Sequence, residues 1–394
     1  MFSGCKTLET IDVSKFDTSN VTNMYEMFRD CRKLKTLHVT GFMTGNVTNM
    51  SCMFAFCESL TLLDVTHFDT SNVTTMASLF SGCSALKTLN LLKFDTSSVS
   101  TMEQMFQDCT SLTELDLSNF AVANLQYANE MFGGCSNLKT IYVLRGSDWS
   151  TDSKVPTANG GDNGVDMFDG CSNLTGGNGT KYSYANDSIE AARIDSDMDP
   201  ALFTQTPFYM RIEDVFDITG KGIVVTGTIN RGEIRKGNTV QLSGGGKSPR
   251  TLTCQGIEQY NKTIDYANYT TGNIGIILGT SISKDDVTRG MILSDPDSVK
   301  LYTKFKATIY VLSKEEGGRH TPFFDNYKPM FYIGVNDIAG TITLLDGKAM
   351  VSPGESATIS VELTGATLLE VGTTFSIRES GKTIGTGTVT ELLE

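Results

Sequence analysis

The chain has 394 residues, 32 Lys/Arg against 45 Asp/Glu, a formal charge of −13 and 39% apolar side chains. That length accommodates two or three cores and that composition excludes a disordered chain. No apolar run reaches the ~18 residues of a membrane-spanning helix, so membrane insertion is not expected. The acidity is uneven: residues 1–205 hold 13 basic against 24 acidic side chains, a balance of −11, and residues 206–394 hold 19 against 21, a balance of −2. An acidic first half repels phosphate and argues against nucleic-acid binding there.

The first element in chain order is a repeat. Cys5, Cys31, Cys57, Cys83, Cys109 and Cys135 follow one another at intervals of 26. Cys171 comes after 36, as if ten residues were inserted in "RGSDWSTDSKVPTANGGDNG". Each Cys closes a segment such as "MFRDC", "MFAFC" or "LFSGC". A fixed period of this size is the mark of a stacked repeat architecture. After each Cys, apolar residues alternate as in a half-buried strand: Leu34, Leu37, Val39; Leu60, Leu63, Val65; Leu112, Leu115, Leu117. A polar turn such as "FDTSN" follows, whose short side chains hydrogen-bond locally. Val21, Met24, Met27 and Phe28 then fall on one face of a short helix. The unit therefore reads strand, turn, short helix, with its apolar face buried only by stacking.

The cysteines read as small buried hydrophobes at one fixed core position. Structural zinc needs spacings of two to four residues between ligands, and 26 supplies none. Cys52 is off this register and is expected to be exposed or a local substitution. Met24, Met50, Met76 and Met102 recur at the same period and are core. The outward strand positions form a slightly acidic strip, of which Asp12, His38, Asp64, Asn90, Asp116 and Tyr142 are the candidate binding face. The strip reads equally as a protein- or glycan-binding surface or as an ordinary solvated sheet.

The stretch "FDTSNVTNMYEMFRDCRKLKTL" resembles the BspA-like class of leucine-rich repeats over residues 1–180. The resemblance implies a leucine-rich-repeat solenoid that is secreted or displayed on the cell surface and mediates adhesion or protein binding. The first residues, "MFSGCKTLET", show neither the basic nor the apolar region of an export signal, which leaves a cytoplasmic location as the alternative. A repeat starting in mid-pattern also leaves an uncapped edge, through which dimerisation is an expectation.

Residues 181–206 read as a linker with one short helix ending at Pro200. From Pro207, segments such as "GKGIVVTGTI", "GNIGIILG", "KFKATIYVLS" and "ATISVEL" are β-branched strands between Gly, Asn and Asp turns. They predict all-β structure in two parts, 207–297 and 298–394. "PFYMRIEDVFDITGKGIVVTGTI" and "KFKATIYVLSKEEGGRHTPFFDNYKPMFY" resemble the second and third domains of elongation factor Tu. The resemblance implies two antiparallel β-barrels. The fold class expected is thus mixed α/β and all-β: a solenoid of 26-residue period followed by two barrels.

In the place of that family's GTPase domain this chain carries the repeats. Three nucleotide-motif look-alikes fail. "GGGKSP" has Gln241 where the first glycine of a phosphate loop belongs, and Pro249 follows where a helix should start. "YNKTID" has one residue too many for a guanine-reading motif, and "DITG" belongs to a strand pattern. By resemblance, Glu213, Asp214, Phe216, Lys221 and Asn273 stand at the family's aminoacyl-tRNA pocket. Arg319 and His320, with the turn near Glu379–Gly381, stand at its tRNA-stem contact. Lysine at position 221 lacks the fork geometry of the family's arginine, and the GTPase wall of the pocket is absent, so at most weak RNA binding is expected. Pro322 and the neighbouring aromatics read as a barrel corner, with Arg319 held by local carbonyls and carboxylates.

Three histidines, His38, His67 and His320, are too few for a catalytic or metal constellation. No cofactor, metal or enzymatic activity is expected. The leading expectation is a non-catalytic bacterial adhesion or interaction protein, its barrels a spacer or second binding module. The alternatives are a translation-linked factor that binds aminoacyl-tRNA or ribosome-associated partners, and an artificial or recombined fusion.

Overall fold

The computed structural model describes residues 1–13, 15–155, 163–196 and 201–393. The middle of the expected insertion and the expected helix stop at Pro200 lie outside the described residues. The chain forms two compact units, Met1–Thr206 and Pro207–Glu394.

In unit 1 the 26-residue period becomes a hydrogen-bond register. Strands β1 (Thr10–Ile11) and β2 (Thr36–Leu37) pair in parallel, and so do β3 (Glu114–Asp116), β4 (Thr140–Val143) and β5 (Phe203–Gln205). Parallel bridges run Asn23–Asn49–Thr75–Thr101–Tyr127. Stacking carries the core. Phe2, Phe28, Phe54, Phe80, Phe106, Phe132 and Phe168 form one column, with consecutive centroids 5.4–6.0 Å apart and near-parallel planes. Phe203 closes the column edge-on at 6.0 Å, and Trp149, in the four-residue helix α1 (Trp149–Asp152), packs edge-on against Phe203.

The short helix expected in each unit does not form. Glu26, Cys52, Ser78, Gln104, Glu130 and Asp166 all adopt φ of +51° to +56°, which a right-handed helix forbids. The N–H groups of Met24, Glu26, Phe28 and Asp30 instead reach the carbonyls of Asn49, Ser51, Met53 and Ala55 in the next unit. Two successive tight turns, Met27 N–H to Met24 C=O and Cys31 N–H to Phe28 C=O, place Met24, Met27 and Phe28 inward at the spacing a helix would give. Among the described residues, α1 and two 3-10 turns, Ile189–Ala191 and Lys284–Asp286, are the only helical elements, and none is long and apolar enough to cross a membrane.

The mixed α/β solenoid expectation is therefore corrected to sheet and turn. Strand content is also lower than each unit's alternation predicts: 62–64 and 88–90 run as turn or irregular chain. Residues of the expected linker belong to unit 1, with Ile189, Ala192, Leu202 and Phe203 in its core.

Unit 2 contains two β assemblies. The first comprises β6 (Tyr209–Arg211), β7 (Asp214–Ile218), β8 (Gly222–Arg231), β9 (Glu233–Arg235), β10 (Thr239–Gly244), β11 (Lys247–Thr253), β12 (Gly256–Gln259), β13 (Lys262–Ile264), β14 (Tyr266–Asn268), β15 (Asn273–Gly279) and β16 (Ile292–Ser294). Nine of these form a sheet in the order β11-β10-β16-β6-β8-β15-β12-β13, with β7 added on β8, while β14 and β9 pair separately.

The second comprises β17 (Leu301–Val311), β18 (Phe323–Phe324), β19 (Met330–Ile333), β20 (Asn336–Leu344), β21 (Met350–Val351), β22 (Ser356–Leu368), β23 (Thr374–Glu379) and β24 (Lys382–Leu393). β17-β22-β20-β19-β23-β24 close into a barrel, and β18 pairs with β21. One closed barrel, rather than two, is thus present among the described residues. Strict alternation in β17 sends Phe305, Ala307, Ile309 and Val311 into the barrel core.

Candidate interaction surfaces

The strand face of unit 1 collects the outward side chains into a row. The β1–β2 register sets Thr10 beside Thr36 and Ile11 beside Leu37, Asp12 and His38 being the next residues of the two segments, and Asp116 lies beside Tyr142. Asp12, His38 and Asn90 are exposed, whereas Asp64, Asp116 and Tyr142 are half-buried. Several of these polar groups already serve the backbone. Asp64 Oδ1 accepts from Thr66 N–H at 3.0 Å and from the Thr66 hydroxyl at 2.7 Å. Asn90 Oδ1 accepts from Leu92 N–H at 3.2 Å, and Asp116 Oδ1 from Ser118 N–H at 3.0 Å. These are Asx turns, in which a short side chain stands in for a backbone acceptor. They fix the side chains that a ligand would meet.

Sequence reading passed over the lysines beside this row. Lys35, Lys87 and Lys139 are exposed in alternate units, while Asp12, Asp64 and Asp116 occupy the units between. Lys35 Nζ pairs with Glu9 at 2.8 Å; among the described residues Lys87 and Lys139 have no ion-pair partner. At ~4.8 Å per stacked unit the lysines recur every ~10 Å, with acids at the steps between.

The cysteine column carries hydrogen-bond chemistry beyond its bulk. The thiols of Cys31, Cys57, Cys83, Cys109, Cys135 and Cys171 donate to the carbonyls of Phe2, Phe28, Phe54, Phe80, Phe106 and Phe132 at 3.0–3.3 Å. Burial pushes Cys83 and Cys135 up to about 12, and raises Cys31, Cys57, Cys109 and Cys171 as well. Such thiols are neutral at pH 7 and poor nucleophiles. Cys52 is half-buried, stacked between Glu26 and Ser78 at a surface position of the repeat, and burial raises it too.

In unit 2 the positions assigned by resemblance to an aminoacyl pocket lie around β7, β8 and β15. Asn273 Nδ2 donates to Glu213 Oε2 at 3.0 Å, joining two of them directly. Asp214 and Phe216 lie in β7 beside Thr226 and Val224 of β8, and Phe216 is 47% exposed. Lys221 sits in the turn at the other end of β7, its Nζ 2.5 Å from Glu258 Oε1. "GGGKSP" forms the hairpin from β10 to β11 and leads into strand, so it has no helix N-terminus for a phosphate.

The Arg319 side chain is only 13% exposed and is engaged through two of its three nitrogens. Its Nε donates to Thr321 C=O at 3.1 Å, and one terminal nitrogen lies 2.7 Å from both the Tyr327 hydroxyl and Glu379 Oε2. The guanidinium also lies 4.9 Å from the Tyr327 ring centroid, and burial is the main cause that pushes the phenol up to about 12. Phe323 stacks on Tyr327 at 4.9 Å. This loop joins Arg319 to the turn after β23, while His320 is exposed.

Against this geometry, residues 298–393 match the family model described as the elongation factor Tu C-terminal domain. Residues 1–62 and 55–175 match the model described as a Mycoplasma protein of unknown function, DUF285. The closed barrel is thus a translation-factor-like domain.

Proposed function

We propose that the chain is a non-catalytic binding protein, in which the strand face of unit 1 recognises a protein or glycan and unit 2 serves as spacer or second binding module. The observation that carries this reading is the register that makes residues 26 apart in sequence into lateral neighbours. An extended ligand meets His38, Asp64, Lys87, Asn90, Asp116 and Lys139 as one alternating surface. Asx-locked side chains lose little freedom on binding, which lowers the ordering cost. Display or secretion is part of this proposal and rests on the sequence resemblance of residues 1–180 to BspA-like repeats alone.

The test is a glycan and protein array probed with the full chain, then repeated with Lys87→Glu/Lys139→Glu. Both lysines are exposed, so the variant folds. A specific ligand weakened at least ~10-fold by the double change supports the reading. No ligand on the arrays, or one indifferent to the change, overturns it.

The match of residues 298–393 favours a second reading, a translation-linked factor that contacts aminoacyl-tRNA or a ribosome-associated partner without GTPase activity. Against it, the cationic heads of Lys221 and Arg319 are already held by Glu258 and Glu379. A mobility shift with charged tRNA at low salt that is lost in Arg319→Ala would favour this second reading.

A further inference from the structure

Unit 2 contains a cleft of about 210 Å³ between the tip of the β10–β11 hairpin and barrel strands β20 and β22. No Asp or Glu lines it, although the chain carries −13. Met291, Leu301 and Ile338 give it apolar walls, and its rim is rich in donors. Gly245 and Gly246, at φ of +63° and +70°, make the two-residue hairpin turn, and among the described residues neither N–H has a backbone acceptor. A Cβ on Gly246 would meet nothing within 4 Å, so that side of the turn is open. Arg289 is exposed on the rim and, among the described residues, has neither a carboxylate nor a hydrogen-bond partner.

A second cation stands behind the wall. Arg211 is half-buried, and its guanidinium is held by neutral groups, the Thr367 hydroxyl at 3.3 Å and Leu368 C=O at 3.4 Å, both residues of the cleft. Glu370, the acid whose field it feels, is itself 3.6 Å from Arg231. A half-buried cation without a direct counter-ion keeps a positive potential over the space beside it.

We propose that this cleft is a binding site for a small organic anion. The acid group, a carboxylate or a phosphate, is held at the rim by Arg289 and the Gly245–Gly246 N–H groups, and an apolar body rests on Met291, Leu301 and Ile338. The volume is below the ~300 Å³ at which drug-sized pockets begin, which limits the body to one ring or a short chain.

The test uses the full chain with ¹⁵N-labelled glycine and three probes: phenyl phosphate, phenylacetate and neutral benzyl alcohol. Saturable shifts of the Gly244–Gly246 signals with at least one anion are expected, and the tighter anion identifies the acid class. Benzyl alcohol should bind at least ~10-fold more weakly, Arg289→Gln should weaken the anion about 10-fold, and Ala366→Trp should block it by filling the opening. The proposal is overturned if neither anion gives a saturable shift in a protein with an intact spectrum. Equal affinity for benzyl alcohol, or unchanged affinity in Arg289→Gln, overturns it as well.

Discussion

The Cys109 thiol donates to the carbonyl of Phe80, a residue 29 positions earlier, at 3.1 Å, and both residues are wholly buried. The position therefore asks for a side chain that is small, apolar and still a donor. Alanine lacks the donor and leaves space; valine lacks the donor and adds a branch. Replacement by alanine should cost roughly 1–3 kcal/mol, from the lost sulfur volume and the loss of the second of two hydrogen bonds to a carbonyl that still accepts from Cys83 N–H. Urea unfolding followed by Trp149, the only tryptophan and a member of the unit 1 core, measures this without interference from unit 2.

The same burial sets thiol reactivity. A thiol reagent at pH 8 should label Cys5 in the native protein, Cys52 more slowly, and all nine cysteines only after denaturation. Rapid native labelling of Cys83 or Cys135 would contradict the structure.

The raised thiol values also predict an alkaline weakness in unit 1. An unfolded thiol loses its proton near ~8.5, whereas Cys83 and Cys135 keep theirs until about 12. Between these limits the folded state holds more protons, so stability is fully present below ~8.5 and falls as pH rises, by up to ~1.4 kcal/mol per pH unit for each such thiol. Trp149-monitored denaturation across pH 7–10.5 should show this slope, and Cys83→Ala should reduce it by one thiol's share.

Asp286 predicts the opposite dependence in unit 2. The Ser283 side chain and backbone N–H, with the Arg250 guanidinium, hold its carboxyl down at about 2. The stabilisation is present above the ordinary value of ~3.9 and is lost as pH falls through about 2. NMR titration of Asp286 should give this low midpoint, and Arg250→Gln should raise it.

A column of threonines ties successive units of unit 1 together. Thr44 Oγ1 donates to Asp69 C=O at 2.9 Å and accepts from Asp69 N–H at 2.8 Å; Thr18, Thr70 and Thr96 do the same one unit along. Thr44→Val keeps the shape and removes both bonds, at a cost of about 2 kcal/mol. A loss of under ~0.5 kcal/mol in the same Trp149-monitored experiment would show that the ladder is decorative.

Much of this was legible before the structure. The interval of 26 between cysteines, the Phe before each, and the Leu and Val alternation after it named the core residues, because burial is written in apolar spacing. The polar "FDTSN" turns were legible for the same local reason: Asp17 Oδ1 does accept from Ser19 N–H, at 3.0 Å. The helix expected at Val21–Phe28 failed because two tight turns and a helix put the same residues inward. Only the left-handed φ at Glu26 tells them apart, and an ordinary glutamate announces no such angle. In unit 2 the β-branched runs marked strands, yet closure of β17–β24 and the open order of β6–β16 depend on which strands meet.

By itself the amino-acid order determined what is buried and at what period, since hydrophobic burial depends on residue type and local spacing. Tertiary structure alone decided where backbone and donor groups find partners: Cys109 on Phe80, Arg319 on Glu379, and Arg211 beside an acid-free cleft. Those are directional contacts between residues tens of positions apart, and no local pattern encodes their geometry.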